Sequence, residues 1–286
     1  MWIWTQLLVA GCSLGSFYAL IAMGFSLIFG VTHAFNLAHG EMILLSGYLA
    51  YGLWTVCHFS LYETLPLCML AMFFGALLLQ CLLRKLQEPF ALNTLVITFG
   101  LALLLQNMML MLFSANYRLI PAEESQFALL PAFRFTTLQA KLILLSLTAT
   151  GAVHLLLHRT FLGKALRATI QDRETAQLAG INVKHMSVIA YGLGGVLIGL
   201  AGPLFGQTTY LHPAGGAEAT LIAITITIFA GVGRTRTILL GGWLLGLVES
   251  VATLTLGSSW RELVSAVLLI TLLVLRPEGI LSRATE

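Results

Sequence analysis

Nine stretches of this chain are apolar enough to live in lipid, and they constrain its fold more than any single motif does. They fall at roughly 6–29, 37–57, 64–83, 91–113, 138–157, 186–210, 218–233, 237–256 and 261–275. About 20 apolar residues cross the hydrocarbon core as a helix. Inside lipid every backbone N–H and C=O must be paired within the protein, and stretches of this length pair them as helices. Water is not the main solvent: 9% of the residues are charged, against about 25% in a soluble domain, and the mean hydropathy is +0.91. The expected fold class is all-α: a polytopic transmembrane helical bundle of about nine spans. It forms one domain over residues 1–286, because no stretch is polar enough to be a separate soluble one.

Lys and Arg orient the spans. With the amino terminus outside and the carboxyl terminus inside, only Arg118, Arg134, Lys141 and Arg261 of the 15 positive residues face out. The formal charge of +3 and the lack of a basic run with interleaved aromatics exclude a nucleic-acid partner. Cys12, Cys57, Cys68 and Cys81 have no zinc or redox spacing. "VAGC" at 9–12 resembles a lipoprotein cleavage box. However, Met1 to Gly11 has no Lys or Arg, so the first helix is expected to be retained.

Polar residues inside such spans are costly and usually face a bundle interior or an aqueous cavity. "FNLAHGEMILLSGYLA" (35–50) places Asn36, His39 and Glu41 around Gly40, and "GVTHAF" before it is too short for a conventional loop. We expect a broken-helix element near 31–41, with Gly40 breaking the helix. Two readings stand: the polar groups line a substrate pathway, or His39 and Glu41 cap the first turn of the second span at the cytoplasmic interface. Asn93, Thr94 and Thr98 lie within about one and a half turns on the fourth span; they serve either the pathway or helix–helix hydrogen bonding. Glu249 is a second membrane acid, which Gln207 or His212 could satisfy. Thr220, Thr225 and Thr227 are expected to back-bond to their own helix. The exterior loop 114–137 has room for a short interfacial helix.

The one substantial polar interior segment, 159–185, reads as two short helical patterns between Gly163 and Asn182. Leu166, Ile170, Leu178 and Ile181 are expected to make one apolar ridge, and Gly180 is a helix-stop signal. By spacing alone this is either a groove-binding helix or an interfacial anchor.

"GKALRATIQDRETAQLAGINV" (163–183) resembles the G-x-A-x-R-A-x-x-x-[ND]-x-x-x-A-x-x-x-G-I-[ND]-V segment of the LivH/LivM-type permeases of branched-chain amino acid ABC importers. "FNLAHGEMILLSGYLA" and the closing "VLRPEGIL" resemble that family's other two motifs, in order and across the whole chain. One turn departs: "FAGVGRTRTILLGG" has Arg234 where the family commonly has a small residue. The resemblance implies a non-enzymatic permease subunit in a bacterial cytoplasmic (inner) membrane. Gly163, Ala165, Arg167, Asp172, Glu174, Ala176, Gly180 and Ile181 would couple it to ABC ATPase subunits. A second permease subunit and an extracytoplasmic solute-binding protein would complete the importer. The chain has no G-x-x-x-x-G-K-[ST], so it is expected to bind no cofactor, with ATP used by the partner subunits. A urea or short-chain amide permease shares these motifs. An ion-coupled secondary transporter using His39, Glu41 and Glu249 as relays would have no use for segment 159–185.

Overall fold

The structure is a computed structural model that describes residues 2–86, 89–121, 126–130, 133–257 and 260–275. In chain order the helices are α1 (Trp2–Thr32), α2 (His39–Cys57), α3 (Leu61–Leu83) and α4 (Phe90–Phe113), followed by strands β1 (Gln126–Leu130) and β2 (Phe133–Thr136). Then come α5 (Thr137–Arg159), α6 (Phe161–Gln171), α7 (Arg173–Leu178), α8 (Val183–Thr208), α9 (Gly216–Ala230), α10 (Thr235–Leu256) and α11 (Arg261–Leu275). Each of the nine expected apolar stretches coincides with a helix. Six of them, α1, α3, α4, α5, α8 and α10, are long and apolar enough to cross a membrane. The other three fall short for readable reasons. α2 dilutes its apolar surface with His39, Glu41, Ser46 and three glycines, while α9 and the described part of α11 have 15 residues each. Fifteen residues rise only about 22 Å, against a hydrocarbon core of about 30 Å.

The exterior loop corrects one expectation. In place of an interfacial helix it forms an antiparallel hairpin, Gln126 opposite Thr136 and Phe127 opposite Phe135, with an irregularity between Ala128 and Leu130. "FRFT" alternates Phe133 and Phe135 with Arg134 and Thr136, a two-residue period with aromatic and β-branched residues that favours a strand. All of the closing motif after Leu275, residues 276–281, lies outside the described residues.

The helices gather into two compact units. One takes the described residues of 1–23, 122–154 and 221–286, the other those of 24–121 and 155–220. In the first unit α1 crosses α10 through small residues. A Cβ on Gly15 would stand 2.5 Å from the Gly242 carbonyl oxygen, and one on Gly246 would stand 2.5 Å from that of Gly11. Lipid tails are as apolar as leucine, so close backbone approach of this kind, rather than the hydrophobic effect, drives helix association in membranes. The Trp243 indole N–H donates to Ser16 Oγ at 2.8 Å across the same crossing.

In the second unit α8 is the central post. Gly195 and Gly199 admit the backbone of α3 at Met72 and Met69, and Gly202 admits Ser46 and the Ile43 carbonyl of α2. Ser46 Oγ donates to the Gly199 carbonyl at 3.2 Å. Beyond the end of α8 the chain turns back, and Arg118 and Leu211 exchange backbone hydrogen bonds of 3.0 and 2.7 Å. That pairing ties the segment before α9 to the segment after α4.

Candidate functional site

The break between α1 and α2 is built by backbone chemistry that can be followed residue by residue. His33 adopts a left-handed conformation (φ 52°) and ends α1. The Asn36 side-chain oxygen accepts the Ala38 N–H at 3.1 Å and turns the chain into α2. Ala38 offers no capping side chain, so the first-turn donors of α2 need partners from elsewhere. Thr98 Oγ1 on α4 accepts the Leu37 N–H at 3.1 Å, and Thr220 Oγ1 on α9 accepts the Gly40 N–H at 2.9 Å. Phe29 and Phe35 pack with ring centroids 4.7 Å apart, tilted by 34°, beside Phe25 and close the turn over an aromatic cluster.

Gly40 is not the helix breaker; it lies inside the first turn of α2. Its role is close approach: a Cβ there would stand 1.8 Å from the Gly216 carbonyl oxygen. Gly216 in turn faces Glu41, whose carboxyl oxygens lie 2.4 and 2.5 Å from where a Gly216 Cβ would stand. The first turns of α2 and α9 therefore meet glycine to glycine, with a buried carboxyl group between them.

His39 and Glu41 stand in the first turn of α2 and are enclosed by protein. The His39 ring meets Phe25 edge-on at 5.4 Å and is 0% exposed. Phe25 lies seven residues before the end of α1 at Thr32, about 10 Å back along that helix. The chain thus re-enters the protein before α2 begins. Buried non-helical backbone survives only where protein or a water-lined cavity satisfies it. Asn36, Glu41 and Thr94 are all buried. Asn36 Nδ2, Glu41 Oε2 and Thr94 Oγ1 lack a hydrogen-bond partner among the described residues. Each such group costs about 1–3 kcal/mol, and a fold that keeps three of them around one chain break is not optimised for stability alone.

The other polar residues sort differently. Asn93 is half-buried on α4, one residue before Thr94. Glu249 is buried in the other unit, where Tyr18 Oη donates to its Oε2 at 2.6 Å and Ser265 Oγ donates to its Oε1. Gln207 and His212, the partners expected for it, belong to the unit that holds the chain break. Tyr18 and Ser265 are distant in sequence, and only packing brings them to Glu249. Thr225 back-bonds to Leu221 at 2.8 Å as expected, whereas Thr227 donates to the Ala22 carbonyl at 3.4 Å. Thr220 back-bonds to Gly216 at 3.1 Å and also receives the Gly40 N–H. Gly216 and Thr220 were not legible as site residues. The available signal was a glycine pair opening an apolar helix too short to span a membrane.

Segment 159–185 is a chain of capped turns. Thr160 caps α6 by accepting the Gly163 N–H at 3.0 Å. Asp172 caps α7, accepting from the N–H of Glu174 at 2.9 Å and of Thr175 at 3.1 Å, and from the Thr175 hydroxyl at 2.6 Å. Those bonds, the Thr175 hydroxyl first, hold its carboxyl below the usual aspartate range. α7 ends in a Schellman turn: Ile181 N–H to Ala176 O and Gly180 N–H to Gln177 O, both 3.0 Å, with Gly180 at φ 85°. Asn182 then caps α8 through the His185 N–H at 3.1 Å. The small residues serve packing. Gly163 lies on the Leu156–Leu157 backbone, while Ala165 and Ala176 are buried. The single apolar ridge does not form: Leu166 is buried and Leu178 is 90% exposed. The cap at Asp172 starts a new helix in a new direction, so the two leucines do not share a face. Exposed Phe161, Leu162 and Leu178 instead give the segment an apolar outer surface, next to the exposed side chains of Arg167 and Glu174.

Comparison with known proteins agrees along the whole chain. The high-affinity branched-chain amino acid transport system permease protein BraD of Pseudomonas aeruginosa is 29% identical, covering 97% of this chain and 95% of its own. The corresponding LivH proteins of Escherichia coli K12 and Salmonella typhimurium are each 27% identical over the same shares. Among solved structures, PsaBC from Streptococcus pneumoniae in complex with Fab superposes with a TM-score of 0.52 at 12% identity. It covers 94% of this chain and 91% of its own, a likeness of fold alone. Residues 7–273 match the family described as "Branched-chain amino acid transport system / permease component", and with its re-entrant break and capped polar segment the chain belongs to that family of multi-pass membrane permeases.

Proposed function

We propose that this chain is the membrane subunit of an ATP-driven importer that moves branched-chain or related amino acids delivered by an extracytoplasmic binding protein. The match to the permease family over residues 7–273 carries this reading, and the structure supplies a physical account of it. Nine crossings with the amino terminus outside put segment 159–185 on the cytoplasmic face, where its exposed Phe161, Leu162 and Leu178 meet the ATPase subunits. Asp172, Gly180 and Asn182 fix the angles between α6, α7 and α8, so movement of a docked ATPase is transmitted to α8 as a rigid body. α8 packs along α2 and α3 and thereby reaches the chain break. The buried, unpartnered polar atoms of Asn36, Glu41 and Thr94, with His39, Gly40, Asn93 and Thr98 around them, form the polar part of the pathway. Two helix N-termini meet there around the Glu41 carboxyl group, which occupies the junction. Glu249, held by Tyr18 and Ser265, is structural. A second permease subunit completes the pore, and ATP is hydrolysed on the partner subunits.

The test is uptake by proteoliposomes containing this chain, its partner permease, the ATPases and the binding protein. ATP-dependent leucine uptake, competed by isoleucine and valine and indifferent to a hundredfold excess of urea or acetamide, is expected. Uptake without ATP, or competition by urea or acetamide rather than by the amino acids, would sink the proposal.

A further inference from the structure

A cavity of about 540 Å³ lies where α7 meets the ends of α3 and α8, within one compact unit. Its lining is charged in a way that packing does not require. Arg84, Arg173 and Lys184 come from three separate elements, and only Glu174 opposes them. Among the described residues, none of the three cations has an ion-pair or side-chain hydrogen-bond partner. The three cations are solvent-exposed side chains that share one concavity, so their mutual repulsion is screened and modest, and an occupant of opposite charge is attracted by all three. Gln80, Gln177 and Ser187 add neutral donors among the charges. Guanidinium groups fork onto phosphate oxygens, and an ammonium adds a point charge beside them. Leu83, Leu86 and Phe90 make part of the wall apolar. The volume is that of a small-molecule site.

We propose that this cavity binds the phosphate group of an anionic ligand, wedged between α7 and the ends of the spans. The phosphate could come from a lipid headgroup, whose glycerol and first acyl carbons would lie along the apolar wall, or from a soluble phosphate. Because α7 is one wall, occupancy ties it to α3 and α8 and tunes how firmly segment 159–185 is held. That consequence rests on the docking reading above; the binding does not.

The experiment uses the full-length chain purified in neutral detergent. Its thermal unfolding midpoint is followed while phosphatidylglycerol, phosphatidylcholine or inorganic phosphate is titrated in separate arms. A saturable rise with phosphatidylglycerol but not phosphatidylcholine assigns a lipid headgroup; a rise with inorganic phosphate assigns a soluble source. In the responding arm, Arg84→Gln should weaken apparent affinity about fivefold and Glu174→Gln should strengthen it by at least about twofold. Opposite changes from two substitutions in one cavity cannot come from misfolding. Equal responses in wild type and both variants, weakening in both, or the same response to phosphatidylcholine as to phosphatidylglycerol would overturn the proposal. Failure of amino acid uptake would refute the transport reading and leave this titration untouched.

Discussion

Replacing Gly40 by alanine tests whether the meeting of α2 and α9 holds the chain break in place. The added Cβ would stand 1.8 Å from the Gly216 carbonyl oxygen and 2.6 Å from Thr220 Oγ1. A carbon and a carbonyl oxygen settle at about 3.3 Å or more, so the two helix starts must separate by roughly 1.5 Å. That movement also breaks the 2.9 Å bond from the Gly40 N–H to Thr220. Overpacking costs about 1–3 kcal/mol, and a buried hydrogen bond contributes about 0.5–1.5 kcal/mol. Together they predict a loss of about 2–4 kcal/mol, which corresponds to a melting temperature lower by roughly 3–7 °C for a chain of this size. Gly52 on the same helix is the control, because a Cβ there meets nothing within 4 Å. Gly52→Ala should be neutral or slightly stabilising. Thr220→Val keeps the bulk and removes the acceptor, isolating the hydrogen bond at about 1–3 kcal/mol. The assay is thermal unfolding of the full chain in detergent, paired with leucine uptake. A Gly40→Ala protein that melts within about 1 °C of wild type, or a Gly52→Ala protein that loses as much, would refute the argument.

Further outcomes follow from the same structure. Gly180 has φ 85° with open space where a Cβ would stand, so Gly180→Val acts on the backbone alone, at about 1–2 kcal/mol. The valine variant should release the ATPase on copurification while Gly180→Asn retains it; an unchanged valine variant would remove the docking role. The carboxyl of Asp172 is held below its ordinary range by the bonds it accepts, so the cap stabilises α7 above the ordinary aspartate pKa. That stabilisation is lost as pH falls through the depressed folded value, which hydrogen exchange at the Glu174 and Thr175 amides would show. Asp172→Ala should abolish this pH dependence, and its persistence would refute the assignment. Glu249→Gln should keep both stability and uptake, whereas Glu249→Leu should lower the melting temperature by removing the acceptor of Tyr18. Loss of uptake in a stable Glu249→Gln protein would instead make Glu249 a relay group.

Much of segment 159–185 was legible because its determinants are local. Asp172, Gly180 and Asn182 are a cap, a left-handed stop and a second cap, and each acts on backbone within three or four residues of itself. The same locality explains why the single apolar ridge was misread: spacing counts residues along one helix, and Asp172 starts another. The chain break was legible as a position, since "GVTHAF" cannot connect two spans across an interface. How it is held was not. Thr98 and Thr220 reach it from α4 and α9, and no pattern within one helix announces a hydrogen bond to another.

By itself the sequence determined that this protein lives in a membrane, that its helices fall where apolar residues run on, and that one polar segment is built from capped turns. These follow from solvent transfer and from backbone chemistry over a few residues. Only the tertiary structure decided that Gly40 serves close approach rather than helix breaking, that Glu249 answers to Tyr18 and Ser265, and that Arg84, Arg173 and Lys184 share one cavity. Each of those depends on which residues, distant along the chain, packing brings within a few ångströms. In lipid that choice is made by backbone fit at glycines and by the need to pair buried backbone donors.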